Sequence, residues 1–223
     1  MEVVRADGVR KCYGSGAGAT EAVRQVSLSV AAGEFVALMG PSGCGKTTLL
    51  NLLGAMDLPT SGTVWLDGRN TSELDDNALT ALRRQRVGFV FQAFHLLPTL
   101  TVAENIEMPL LLLRDMDARA TRIAALAERV GLGAKLRAFP GELSGGEMQR
   151  AAIARALIHH PRLVIADEPT GNLDSHSAAR VLDLMAELSR EAGAAVVMAT
   201  HSRDAAARAS RVVRLRDGAI DLP

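Results

Sequence analysis

Only two cysteines occur in the sequence, and neither Cys12 nor Cys44 falls in a C-x-x-C or Cys/His ligand spacing. A thiolate metal module is therefore excluded, and both read as small apolar residues. Net charge is missing too: 25 basic side chains balance 25 acidic ones, so no bulk field draws the chain toward nucleic acid, and no nucleic-acid partner is expected. Long apolar runs are also lacking. Leu110 to Leu113 and Ala194 to Ala199 stop far short of the roughly 18 to 20 residues that cross a bilayer. Met1 to Arg10 carries scattered charge and no apolar leader core, so no secretory signal is expected and the location expected by default is cytoplasmic.

What is present is an ordinary globular composition, 48% apolar and 22% charged over 223 residues, which suits one domain, 1–223, with a subsidiary lobe. Short β-type runs recur at Phe35–Met39, Thr63–Leu66, Val87–Phe91, Leu163–Ala166, Ala195–Ala199 and Val212–Leu215. Most are continuous apolar runs, as in strands covered on both faces. Helical segments separate several of them, so the order reads as α/β. Thr101 with Glu104, and Ser144 with Glu147, have capping-box spacing at helix starts. Residues 93–161 show helices and turns without a convincing strand, which predicts an inserted helical lobe. Val26–Val30, Phe35–Met39 and Thr63–Leu66 together predict an antiparallel β lobe before the parallel sheet begins. His159 and His160, closing the helical segment that starts at Ser144, read as a helix C-terminus, where imidazoles suit the dipole.

After Phe35–Met39 stands GPSGCGKTT: Gly40, Pro41, Ser42, Gly43, Cys44, Gly45, Lys46, Thr47 and Thr48. This satisfies G-x-x-x-x-G-K-[ST] in the required setting, with a strand before it and an apolar helix after it. Glycines allow a tight turn whose amides face phosphate oxygens, and the helix N-terminus adds its positive end. In that reading Lys46 bridges the terminal phosphates and Thr47 holds Mg²⁺. An ordinary glycine-rich turn would need none of these residues in this order.

Asp167 and Glu168 close the apolar run Leu163–Ala166. Alone, an acidic pair at a strand end is more often a turn or cap. With a phosphate loop upstream, Asp167 becomes the carboxylate that holds Mg²⁺ through its water shell, and Glu168 the acceptor of a proton from attacking water. LSGGE, Leu143 to Glu147, reads first as a plain helix start. Two glycines in its first turn, Gly145 and Gly146, nevertheless cost about 1 kcal/mol each relative to alanine. Close approach of another molecule explains them, and a bare helix N-terminus is a second anion receptor.

In this order the residues resemble the ATP-binding-cassette ATPases, the nucleotide-hydrolysing subunits of membrane transporters, from about Val3 to Ile220. The fold that the resemblance implies is a P-loop NTPase core of RecA-like kind, with the antiparallel β lobe and the helical lobe. Tyr13 matches the adenine-stacking aromatic and Gln92 the lid glutamine, a residue at the Mg²⁺ site. Asn172 to Asp174 match the D-loop, and His201 the switch histidine that senses the γ-phosphate. VGFVFQAFHLLPTLTVAENIEMPLLL and ADEPTGNLDS look like the lipoprotein-releasing and macrolide-export branch, while Glu147 and Met148 stand where that family's signature more often has glutamines.

The resemblance implies an ATP-bound homodimer closed head to tail, with Ser144, Gly145 and Gly146 of one copy completing the site of the other. It also implies integral membrane permease subunits on separate chains, and a peripheral location on the inner face of the cell membrane. The segment from Gln92 to Pro109, in which Phe94, Leu96 and Leu97 form an apolar cluster, would contact that partner, with burial of the cluster in the domain's own core as the alternative. An ATPase that regulates cell-wall enzymes through a membrane partner is the alternative. Chromosome-handling cassettes need hundreds of heptad residues between the two motifs, and Pro59, Pro98, Pro109 and Pro140 break this stretch. A metabolite kinase has no use for LSGGE.

Overall fold

The structure, a computed structural model, describes residues 1–14 and 16–221. One sheet is antiparallel, in the order β2 (Thr20–Ala31), β1 (Glu2–Tyr13), β4 (Ser61–Leu66), β5 (Arg69–Asn70). The other runs β10 (Ala219–Ile220), β9 (Arg211–Arg216), β3 (Phe35–Met39), β8 (Ala195–Thr200), β7 (Leu163–Asp167), β6 (Val87–Phe91). All its pairs are parallel except the β9–β10 hairpin.

The continuous apolar strands are explained by two cores that they separate. Val36 and Leu38 of β3, Leu163 and Ile165 of β7, and Val197 and Ala199 of β8 face a core shared with the antiparallel sheet and α1 (Lys46–Leu53). The alternate residues, Phe35, Ala37, Val164, Ala166, Val196 and Met198, face a second core. That core is shared with α3 (Val102–Leu113), α5 (Gly145–Leu157) and α6 (Ser175–Glu191). With a period of two, a strand covered on both faces has no polar side, which is why these segments read as unbroken runs.

Phe35–Met39 therefore does not belong to the antiparallel patch. It lies between β8 and β9 and pairs with both in parallel. The antiparallel lobe is built instead on β1, whose register with β2 shifts at Ala6/Val9 and Val9/Lys11 around Gly8, at φ 54°. Those bulges break the alternation that marks a strand in sequence.

Between β6 and β7 the described chain is helical throughout its regular structure: α3, α4 (Arg119–Arg129) and α5. Capping boxes start α3 at Thr101 and α5 at Ser144. The elements α2 (Asp76–Arg86) and α7 (Arg203–Ala206) complete the layers. Where β6 meets α5 the backbones touch: a Cβ added at Gly88 would collide with the Ala156 carbonyl. No described helix is long and apolar enough to cross a membrane.

Candidate functional site

Four neighbouring parallel strands, β3, β8, β7 and β6, end on one edge, and the loop leaving each carries one of the singled-out residues. Gly40–Gly45 follow β3, His201 follows β8, Asp167 and Glu168 close β7, and Gln92 follows β6. The carboxyl edge of an open parallel sheet is where such folds bind ligands, because loops there diverge into a crevice. A cavity of about 550 Å³ opens at this edge, lined among others by Gly43, Lys46, Thr47, Gln92, Asp167 and His201.

The phosphate loop is held rigidly. Cys44 is buried, its N–H donates to the Pro41 carbonyl at 3.4 Å, and its carbonyl accepts from Gly218 N–H at 3.1 Å, tying the loop to the β9–β10 turn. Gly45 caps α1 at φ 99°, and a side chain there would collide with the Ala22 carbonyl; at Gly40 it would collide with the Leu215 carbonyl. Both positions thus demand glycine, one for its φ and both for backbone contact. Lys46 is 7% exposed, and its Nζ donates to the carbonyls of Gly40 at 2.8 Å and Pro41 at 3.0 Å. The ammonium curls back over the loop that it would serve.

Thr47 donates its hydroxyl to Asp167 Oδ2 at 2.8 Å. Burial is the main influence on Asp167 and pushes its carboxyl up, against the Thr47 hydrogen bond and the Lys46 charge. A half-buried carboxylate beside a hydroxyl is a hard oxygen pair short of a positive partner, and it fits Mg²⁺, which takes one or two protein oxygens and leaves the rest to phosphate and water. No cluster of three or more His, Cys, Asp or Glu with metal-holding geometry exists among the described residues, so the chain alone forms no dedicated cage.

Glu168 stands at φ 47°, in the left-handed region, immediately before Pro169. Such a conformation costs a non-glycine residue about 1 to 2 kcal/mol and persists where the surroundings hold it. Here the Glu168 N–H donates to Ala199 O at 3.0 Å, and the Glu168 carbonyl accepts from Gly171 N–H at 3.0 Å. The carboxylate meets His201 Nδ1 at 2.9 Å. Gln92 lines the same cavity, but its amide nitrogen donates to Asn172 Oδ1 at 3.1 Å, and Asn172 Nδ2 returns a bond to the Gln92 carbonyl at 3.0 Å. Its carboxamide is turned to the loop after β7 rather than to Thr47 and Asp167.

Two of the singled-out groups stand outside this cavity. Tyr13 ends β1 and is 43% exposed; its hydroxyl donates to Asp57 at 2.9 Å while Lys11 Nζ sits 5.1 Å from its ring centre. Burial foremost, then Asp57, raises its pKa, with Thr48, in the first turn of α1, opposing. Ser144, Gly145 and Gly146 begin α5 beside the far end of the loop after β7 and beside Phe94, outside the cavity lining. A Cβ at Gly145 would lie 3.3 Å from Leu173 and 3.9 Å from Phe94. Ser144 donates its hydroxyl to Glu147 at 2.9 Å, and Glu147 also pairs with Lys135 Nζ at 2.7 Å, which foremost lowers its pKa to about 2. Lys135 gave no signal in the sequence, nor did the Lys11–Asp57 clamp on Tyr13, because neither pair is local.

His159 differs from the dipole reading. The helix ends at Leu157, and the His159 ring is sunk beside β6 with Nε2 3.3 Å from the Val87 carbonyl. Burial foremost drives its pKa down to about 4, so it is neutral and contributes nothing to the dipole. Phe94, Leu96 and Leu97 do not form one outward cluster either: Leu96 packs on the second core, Phe94 lies near Gly145, and only Leu97 is exposed, at 43%. The open apolar surface is a groove of about 500 Å³ walled by Phe89, Phe91, Met108, Pro109 and Leu112, between β6, α2 and α3. A larger concavity, about 860 Å³ between Arg5, Arg211 and Arg214, is lined by none of these residues.

Residues 23–171 match the sequence family described as ABC transporter. An uncharacterized ABC transporter ATP-binding protein of Methanocaldococcus jannaschii, MJ1508, is 47% identical over 98% of this chain and 97% of its own length. The lipoprotein-releasing system ATP-binding protein LolD of Bordetella pertussis is 46% identical over 96% of this chain and 94% of its length. The chain spans about a third of the length of the pyoverdine export ATP-binding/permease protein PvdT of Pseudomonas fluorescens, at 48% identity. Among solved structures, the dimeric post-hydrolysis state of the ATP-binding cassette MJ0796 bound to ADP and Pi superposes with a TM-score of 0.89 at 40% identity. It covers 98% of this chain and 97% of that one.

Proposed function

This chain belongs to the ABC transporter family as its ATP-binding, ATP-hydrolysing subunit, and from that premise we propose how its residues divide the work. The observation that carries the reading is a separation. Lys46, Thr47, Gln92, Asp167, Glu168 and His201 line one cavity, whereas Ser144, Gly145 and Gly146 lie outside it, which supports the reading that one copy holds half of a site. Two copies closing head to tail would join the halves, each glycine-bare start of α5 capping the nucleotide on the other copy's phosphate loop.

In that arrangement the amides of Gly40 to Thr48 cradle the phosphates, and Lys46 exchanges two loop carbonyls for phosphate oxygens. Tyr13 supports the adenine. Thr47 and Asp167 hold Mg²⁺, with Gln92 in reach once Asn172 releases it; the ion supplies charge neutralisation at the phosphates. Glu168 orients water for in-line attack on the γ-phosphate and takes its proton, and His201, now on the Glu168 carboxylate, turns to the γ-phosphate.

The helices of residues 93–161 act as the lobe that carries closure to integral membrane permease subunits on other chains. Those subunits hold the protein at the cytoplasmic face of the membrane and choose the cargo, by analogy with LolD and PvdT a lipoprotein, peptide or small exported compound. Phosphate release from Mg-ATP without any acceptor, measured against protein concentration, tests the two-copy site. Turnover per chain should rise with concentration until dimers saturate, and a rate per chain that stays constant at every concentration would refute it.

A further inference from the structure

The start of α5 holds an acid at the place proposed to receive an anion. Glu147 sits in the first turn, immediately after Gly145 and Gly146, and its carboxylate is engaged in two directions. Oε2 accepts from the Ser144 N–H and from the Ser144 hydroxyl, both at 2.9 Å. Oε1 lies 2.7 Å from Lys135 Nζ. Lys135 belongs to another element, the one-turn helix Gly133–Lys135. Its backbone is fixed on both sides: the N–H donates to the Leu132 carbonyl at 2.9 Å, and the carbonyl accepts from Ala138 N–H at 3.0 Å. Leu132 itself is fully buried. Arg150, on α5, directs its Nε–H to the Val130 carbonyl at 2.8 Å, and among the described residues Lys135 is the one cation paired with Glu147.

Charge decides what this turn can bind. A helix N-terminus carries about half a positive elementary charge. One unpaired carboxylate in its first turn reverses that sign, and one paired ammonium restores it. The serine faces a matching conflict. While Ser144 donates its hydroxyl to Oε2 it has no proton to offer a phosphate, and a carboxylate deprived of Lys135 would grip that proton harder, because a hydrogen bond to an uncompensated charge is the stronger one. With Oε1 anchored on Lys135, Ser144 can turn away while Glu147 stays in place. We propose that Lys135 is a positioning residue for hydrolysis: it neutralises and pins the Glu147 carboxylate, so that the glycine-bare start of α5 meets the other copy's γ-phosphate with a positive end and a free serine hydroxyl. This inference rests on the reading that a second copy completes the site, and it adds to that site a residue from the helical lobe. A glutamine at position 147 would leave Lys135 no charge to neutralise.

The test is a double-mutant cycle on the full chain. It is read as Mg-ATP turnover per chain at fixed concentration, as binding of a fluorescent ATP analogue to the monomer, and as ATP-driven dimerisation in a Glu168→Gln background. Lys135→Ala should cut turnover and weaken the ATP-bound dimer at least tenfold while monomer affinity stays within twofold, and Lys135→Arg should keep most of the parental rate. In a chain that already carries Glu147→Gln, Lys135→Ala should cost less than twofold. A tie that merely held α5 to its neighbour would behave in the opposite way, because Glu147→Gln breaks the same ion pair and could rescue nothing. Turnover of Lys135→Ala within twofold of the parent, or a loss as large with Glu147→Gln as without it, overturns the inference and leaves the two-copy site standing. Absence of an ATP-bound dimer from the Glu168→Gln chain itself overturns the two-copy reading and the inference together.

Discussion

His201 Nδ1 lies 2.9 Å from Glu168 Oε2, joining residues from the ends of two adjacent parallel strands at the phosphate cavity. The imidazole thus occupies the carboxylate that water would need, and nucleotide entry has to separate them. Glu168→Gln keeps the shape and removes the proton acceptor. Turnover should fall by about 10³-fold or more with ATP binding retained, and an ATP-bound dimer should accumulate on size-exclusion chromatography. Turnover within a few fold of the parent would contradict the general-base role.

Lys46→Ala should lose nucleotide affinity together with activity, because the ammonium meets phosphate in the ground state. Ser144→Arg should bind nucleotide normally as a monomer and fail to hydrolyse it. Mixed in equal amounts, the two inactive variants form some dimers with one intact composite site. About a quarter of parental activity is expected if pairing is random and sites fire independently; a mixture as dead as its components, with mixed dimers demonstrated, argues against independent composite sites.

Asp167→Asn should raise the Mg²⁺ concentration for half-maximal hydrolysis at least tenfold, and Thr47→Val by less, since the carboxylate carries the charge. Burial already holds the Asp167 carboxyl above the ordinary aspartate range. Protons should therefore compete with Mg²⁺ as the pH falls, raising the Mg²⁺ requirement in the parent and far less in Asp167→Asn. A titration of activity against free Mg²⁺ at several pH values separates these outcomes.

His159 makes stability depend on mild acid. Its folded pKa, about 4, lies below the 6.5 of a free imidazole, so the unfolded chain binds the proton more readily. That contribution to stability is complete above pH 6.5 and declines as the pH drops toward 4; at pH 5 the loss reaches about 2 kcal/mol. His159→Asn should flatten the dependence of the denaturant midpoint on pH between 7 and 5. An equally steep dependence in the variant would assign it to other groups.

Gly88→Ala places a methyl group on the Ala156 carbonyl. Strand β6 and helix α5 must then part, and the expected destabilisation is about 2 to 4 kcal/mol, read as a lower urea midpoint. Gly68→Ala, where space is open but φ is 77°, should cost only the backbone term, about 1 kcal/mol.

The legible parts of this chain were the local ones. The phosphate loop, the Asp167–Glu168 pair and both capping boxes are read within a few residues, since each is a short stretch of backbone meeting its own side chains. Partners of strands are not local, and Phe35–Met39 shows the difference: its run of five apolar residues announced burial on both faces, but nothing in it named β8 and β9 as neighbours. Strand β1 escaped because bulges at Gly8 break its alternation. The groove was invisible for another reason. Its walls come from four elements, α2, β6, α3 and α5, and Arg83 and Arg155 are 72 positions apart in the chain.

At the end of β6, Phe91 faces the groove and Gln92, the next residue, faces the nucleotide cavity. Phe91 is the last residue of the strand and Gln92 the first of the turn that follows, so two openings that share no wall residue are served by one dipeptide. No relay of intervening side chains is needed to carry news between them. Whatever sets the torsion angles of that single peptide unit sets both addresses at once.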